Sequence, residues 1–279
     1  MSILRTKNLI DMKYFGLSGA LALSAVLLSG CCGGNRACSV PEELLVARDS
    51  VCAEDSSADV SIVFDAPLDK SLPLSAAVGE YFSEVLGGSY QDDSRDFKAA
   101  AQYYFDARLE SSREFFREYL EESGMEGGAG CYDKIEFVKD SESPLYLTYR
   151  FSEYSYSGGA HGSTIYRGVT FRKSDGRRIG WDVVAPDVYS EELQSLISDG
   201  LRDYWGLSAK DDLREYLFDN AVWSVPLPQC PPLFESGGVR FVYNEYEIAA
   251  YASGRPTFVI PYEDMKPFMM VTARRLVQQ

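Results

Sequence analysis

Histidine is almost absent from this chain. His161 is the single one in 279 residues, and that scarcity removes whole classes of chemistry. A zinc site built on several histidines cannot form, nor can a Cys/His finger with paired histidines. Nucleophilic catalysis with an imidazole base would have to run through His161. Basic residues are also short: 27 Lys and Arg stand against 42 Asp and Glu, a formal net charge of −15. Such a chain has little with which to displace the counterions of a nucleic-acid backbone, so nucleic acid is excluded as a partner class, whereas a basic protein suits it. Cysteine is sparse, with six residues. No two are spaced as CxxC, so neither a thioredoxin-like redox motif nor a cysteine-cornered metal site is indicated. Nothing calls for a cofactor or a metal. There is no internal repeat of fixed period and, past the N-terminus, no apolar run long enough to span a bilayer.

What remains is globular composition, with 46% hydrophobic and 25% charged residues, enough for one large domain or two modest ones. The 19 Tyr and 15 Phe point to a β-rich aromatic core or a binding face.

The N-terminus reads as an export signal. Arg5, Lys7 and Lys13 form a basic region ahead of an uncharged apolar stretch, Tyr14 to Leu28, shorter than the roughly 20 residues a membrane span needs. Translation from Met1 or from Met12 gives the same mature chain. The stretch closes on Leu28-Ser29-Gly30-Cys31, which resembles the lipobox of bacterial lipoproteins. By that resemblance residues 1–30 are a cleaved leader and Cys31 carries the lipid that holds the protein at a membrane. Loss of Arg5, Lys7, Lys13 and Asp11 with the leader takes the net charge from −15 to −17. Cys32 rather than Asp follows the lipid site, and no acidic run follows it. By similarity to the known sorting patterns, this implies the outer membrane, facing the periplasm.

Outside the cytoplasm cysteines can pair. With Cys31 lipidated, Cys32, Cys38, Cys52, Cys131 and Cys230 remain. A bridge from Cys131 to Cys230 would clamp two halves of the body, and one from Cys38 to Cys52 would close a short loop.

Residues 31–57 are small and polar and read as a tether. A first strand is expected at Val60–Phe64, followed by two helices. Leu74, Val78, Tyr81, Phe82 and Val85 recur at helical spacing between Pro73 and Gly87; a longer helix runs from Phe97 to Ser123, with Phe105, Leu109, Phe116 and Tyr119 on one face and Gly124 as its stop. The centre alternates as strands around Ile135–Phe137, Leu145–Phe151 and Ile165–Phe171, with a turn at Ser174-Asp175-Gly176 and a further strand over Ile179, Trp181 and Val183. Helical spacing returns over Leu193–Tyr204, and Ser208 to Asp211 resembles a capping box for another helix through Phe218. Val239–Tyr243 and Thr257–Tyr262 read as strands, with a last helix from Glu263. The fold class is α+β, with antiparallel sheets and interspersed packing helices.

Two stretches stand out chemically. Tyr154-Ser155-Tyr156-Ser157-Gly158-Gly159-Ala160-His161-Gly162 packs three glycines next to the only imidazole, so the loop needs unusual backbone angles or a close approach. His161 is expected to bond the loop backbone rather than perform chemistry. The second stretch runs from Gly237 to Gly254 and holds Glu245, Tyr246 and Glu247. If it is a strand, Glu245 and Glu247 share a face and could act as paired carboxylates on a glycan. Tyr154, Tyr156 and Tyr246 could stack on sugars.

These motifs, together with Ser174-Asp175-Gly176-Arg177-Arg178-Ile179-Gly180-Trp181 and the later Phe258-Val259-Ile260-Pro261-Tyr262, resemble the extracytoplasmic two-part domain shared by the anti-sigma factor RsiV and the polysaccharide deacetylase PdaC. The resemblance divides the body into halves at 58–184 and 185–279. It implies an envelope domain that binds something, which in RsiV is lysozyme, a basic protein. No deacetylase module accompanies it, because the paired metal histidines are missing. The expected function is therefore non-catalytic binding of a protein or glycan, with Tyr154, Tyr156, His161, Glu245, Tyr246 and Glu247 as candidate ligand contacts. The alternative is a glycan hydrolase using Glu245 and Glu247.

Overall fold

Alternation from Ala58 onward buries Ala58, Val60, Ile62 and Phe64 on one side of a strand, and the rest of the architecture is organised around that strand. The computed structural model describes residues 43–124, 130–208, 210–219, 221 and 223–278, all within the compact unit Val40–Gln279. The leader, the lipobox with Cys31, and Cys32 and Cys38 lie outside the described residues. The strands β1 (Val46–Glu54), β2 (Ala58–Pro67), β3 (Cys131–Glu142), β4 (Tyr146–Tyr156), β5 (Ser163–Arg172) and β6 (Arg178–Ile179) form one sheet in that spatial order. Every neighbouring pair is antiparallel except β2 and β3. That parallel pair requires a crossover, because the chain must return to the same end of the sheet. The helices α1 (Pro73–Leu86) and α2 (Phe97–Ser123) supply it.

Both helices carry the terminal signals read in the sequence. Pro73 occupies the first turn of α1, where its missing N–H costs nothing. Asp96 caps α2 by accepting from Ala99 N, and Gly124 ends it in the left-handed conformation. The helices cover one face of the sheet. Phe82 stacks on Phe97 at 4.9 Å and sits 5.0 Å from Phe137, and each such side chain contributes about 1.5–3 kcal/mol by burial. Tyr119 departs from expectation: it is exposed rather than on the packed stripe.

The opposite face carries Thr148, Tyr166, Gly168 and Thr170. It is covered by the C-terminal part, comprising α3 (Trp181–Val184), α4 (Glu191–Trp205) and a second antiparallel sheet of β7 (Leu233–Phe234), β8 (Gly238–Val242) and β9 (Thr257–Pro261). The contact is close. A Cβ on Gly168 would stand 2.7 Å from Leu233, and one on Gly200 of α4 would strike the Phe258 ring at 2.2 Å. A buried polar ladder joins the layers: Thr148 Oγ1 donates to Phe234 O at 2.8 Å, Phe234 N donates to Thr170 Oγ1 at 3.0 Å, and Thr170 Oγ1 reaches Pro232 O at 3.0 Å.

Several expectations are corrected. The second half of the expected tether is β1, an edge strand whose one buried residue is Val51; its long antiparallel pairing with β2 holds it. After Ile179 the chain does not continue as a strand but turns into α3. Ser208 and Asp211 bond each other without starting an α-helix, and only a short 3-10 turn, Leu213–Tyr216, follows. Cys131 and Cys230 are both buried and both free. Cys131 lies on the helix-covered face of the large sheet and Cys230 on the other, among Tyr166, Leu233 and Val242, so the clamp between halves is not formed. Among the described residues, no helix is long and apolar enough to cross a membrane.

Candidate ligand-binding site

The site begins with an unfinished edge. β6 pairs β5 only at Thr170 and Phe171, which leaves the rest of that edge of β5 with outward backbone groups that need partners. The turn after β8 provides them from side chains. Asn244 Oδ1 accepts from Tyr166 N at 2.7 Å, and its Nδ2 donates to Tyr166 O at 3.0 Å, so the amide acts as one more rung of the ladder. Glu245 Oε2 accepts from Thr164 N at 3.2 Å. Docking this turn onto β5 brings Glu245 and Tyr246 to the Gly-rich loop.

That loop is shaped by its glycines. Gly158 and Gly159 hold φ of 100° and 92°, which side chains seldom adopt. Gly162 leaves space for Tyr154, whose ring stands 2.5 Å from where a Cβ would be. His161 is exposed. Its Nδ1 donates to Gly162 O at 2.9 Å, and its ring stacks on Tyr251 at 3.8 Å between centroids and 15° between planes. Tyr251 donates to the same carbonyl at 3.3 Å and neighbours Tyr246 at 5.7 Å. Tyr246 is held at φ 63°, the one described non-glycine residue with positive φ. Tyr154 and Tyr246 are 42% and 58% exposed, so the cluster presents aromatic surface to solvent.

The structure divides the expected contacts. Tyr154, His161, Glu245 and Tyr246 come together with Tyr251. Tyr156 does not join them: its ring lies against Tyr132, and it lines a smaller recess of about 330 Å³ with Phe115, Phe116 and Cys131. Glu247 also faces elsewhere. Its two oxygens accept from Gln229 N at 2.6 Å and Asn244 N at 2.8 Å. Burial pushes its carboxyl above the usual range against the opposing effect of those two bonds. Glu245 and Glu247 lie in a turn, not on one strand face, and each is tied to a different backbone segment. Among the described residues, no group of three or more His, Cys, Asp or Glu is arranged to hold a metal ion.

Beside the aromatic cluster opens a cleft of about 620 Å³. It is lined by Thr164 and Tyr166 of β5, Glu245 of the turn after β8, and Tyr204, Arg240, Arg255 and Thr257. Arg240 is ion-paired with Asp140 at 2.6 Å and with Glu235. No local sequence signal marks Tyr204 or Arg240 as site residues, since they come from separate elements. Arg255 had one, as a lone cation between Gly254 and Pro256 in an acidic chain.

Residues 185–263 match a family model described as a protein of unknown function, DUF3298. That segment carries Tyr204, Arg240, Glu245, Tyr246, Tyr251 and Arg255 but not Tyr154 or His161. No curated protein matches the chain. Among solved structures, a DUF3298 family member from Bacteroides fragilis NCTC 9343 is similar, with a TM-score of 0.61 at 18% identity over 82% of this chain and 96% of that one. A DUF3298 family protein from Pseudomonas aeruginosa PAO1 has a TM-score of 0.56 at 15% identity, over 84% of this chain and 96% of that one. At these identities the likeness is one of fold.

Proposed function

We propose that this protein is a lipid-anchored envelope protein, held by Cys31 at the outer membrane and facing the periplasm, that binds a glycan without chemical change. The observation that carries the reading is the exposed aromatic cluster of Tyr154, His161, Tyr246 and Tyr251 beside an open, polar cleft. Sugar rings stack on such faces while their hydroxyls meet polar walls. The engagement of Glu245 and Glu247 with backbone amides supports binding over hydrolysis, because a retaining or inverting pair must face a shared bond across about 5–9.5 Å.

A basic protein of the lysozyme kind is the second reading. It rests on the net charge of −17 after leader removal and on the motif order that resembles the RsiV and PdaC domain. Charge of this sign steers a cationic partner, and salt screens the attraction.

Calorimetric titration separates the two. Soluble fragments of envelope glycan and, separately, lysozyme are titrated into the protein at low and moderate salt, with wild type and with Tyr154→Ala/Tyr246→Ala. Glycan binding that survives salt and weakens about tenfold or more in the double variant supports the first reading, since stacking contacts are not screened. Lysozyme binding that persists at moderate salt supports the second. Absence of both refutes binding at this end of the molecule.

A further inference from the structure

Arg255 is out of keeping with its surroundings. In a chain with 42 acidic residues, its guanidinium is set over the Tyr166 ring at 5.0 Å, and among the described residues it makes no ion pair with a carboxylate. Arg240, in the same cleft, is neutralised by Asp140 and Glu235. Nor is Arg255 on a loose loop. Gly254, at φ 75°, lets the backbone pass where a Cβ would come 2.7 Å from the Tyr204 hydroxyl. Trp205 Nε1 donates to Ser253 O at 2.9 Å, and Tyr243 N donates to Pro256 O at 2.9 Å. The residues on both sides of Arg255 are thus pinned, Pro256 fixes its own φ, and the ring beneath supports the planar head. A guanidinium braced in this way and facing a cleft keeps its donor fork available for a planar anion.

The rest of the cleft narrows the class of anion. Glu245 holds Thr164 N with Oε2, so a negative oxygen already lines the wall, and it opposes a doubly charged phosphate more than a single carboxylate. The same carboxylate, with the hydroxyls of Thr164, Thr257 and Tyr204, offers partners for ligand hydroxyls. The half-exposed Tyr204 ring offers a face.

The geometry points to an acidic saccharide as the ligand of this cleft, its carboxylate taken by Arg255 and its hydroxyls by Glu245 and the flanking hydroxyl groups. This rests on the glycan reading above and adds the charge class of the sugar and the residue that selects it.

The test uses the full-length protein in mild detergent and three probes measured by calorimetry: trigalacturonic acid, its methyl ester, and acetyl-dialanine as a carboxylate without a sugar. The acid is expected to bind, with the ester weaker by about tenfold or more, as loss of a bidentate charged contact implies. Acetyl-dialanine is expected not to compete. Arg255→Gln should erase the preference of acid over ester, and Arg255→Lys, which keeps charge but loses the fork, should reduce it, with melting temperatures unchanged in both. The acid–ester comparison on wild type needs no variant and stands if a variant misfolds. Equal binding of acid and ester, or of acetyl-dialanine and the acid, overturns the proposal. If none of these probes binds while neutral envelope-glycan fragments do, the acidic-sugar inference falls and the glycan reading survives; if no glycan of either kind binds, both fall.

Discussion

Replacing Thr170 by Val tests how the C-terminal layer that carries most of the cleft is fastened to the large sheet. The substitution keeps shape and volume and removes one hydroxyl. That hydroxyl accepts from Phe234 N, approaches Pro232 O, and lies 3.0 Å from Thr148 Oγ1. Both threonine side chains are fully buried, so water cannot replace what is lost. The variant orphans the Phe234 N–H outright and leaves the Pro232 carbonyl without its donor. At about 1–2 kcal/mol for each of these two buried groups left unsatisfied, the expected loss is about 2–4 kcal/mol. Thr148→Val leaves only Phe234 O short of a donor and should cost less, about 1–2 kcal/mol. The double variant should cost less than the sum, because the two hydroxyls share one network. A domain of ordinary stability, about 5–15 kcal/mol, survives each change folded. Urea unfolding followed by circular dichroism measures all three, with equal slopes required for the comparison. A Thr170→Val variant within about 0.5 kcal/mol of wild type, or one less damaged than Thr148→Val, would refute the reasoning.

Other perturbations have definite expected outcomes. Asp55 caps the β1–β2 turn. Burial pushes its carboxyl up, but bonds from Ser57 Oγ, Ser57 N, Ala58 N and the Arg113 guanidinium together hold it well below the usual range. Its folded pKa is depressed, so its stabilisation is present above the unfolded value near 3.8 and is lost as pH falls; Asp55→Asn should cost about 1–2 kcal/mol at neutral pH and little in strong acid, read from melts across pH. Burial pushes the Cys230 thiol up to about 12, so in the folded protein Cys52, which is exposed, should react with iodoacetamide at pH 8 well before Cys230, whereas denaturation without reductant should release Cys131 and Cys230 as alkylatable thiols. A Cys131–Cys230 bridge would leave both unlabelled. Cys31→Ser should abolish incorporation of labelled palmitate, and continued labelling would refute the anchor.

The helices were legible because each carries its own boundaries: Pro73 and Gly87 around α1, Gly124 after α2, Gly206 after α4. β1 was not, since the apolar residues of Val46–Glu54 do not alternate and most of the strand is exposed; it is a strand because β2 pairs it, which local pattern does not record. Trp181–Val184 alternates like a strand but closes a helical turn, with Val183 and Val184 both buried. Part of the candidate site was legible as well. Glycine density marked the loop around His161, and the structure assigns those glycines to positive φ at 158 and 159 and to the Tyr154 ring at 162. The turn role of Glu245 and Glu247 was hidden because Asn244 and Glu245 bond a strand some eighty residues away, and no local spacing encodes that contact. Tyr204 and Arg255 meet only through tertiary packing.

The most direct test of the central claim, binding without chemistry, is incubation of the purified protein with radiolabelled envelope sacculi followed by sedimentation. The account predicts that wild-type protein moves to the pellet, that Tyr154→Ala/Tyr246→Ala stays in solution, and that the glycan label remains in the pellet throughout. Release of soluble labelled fragments by wild type and not by Glu245→Gln or Glu247→Gln would contradict it and make the protein a hydrolase.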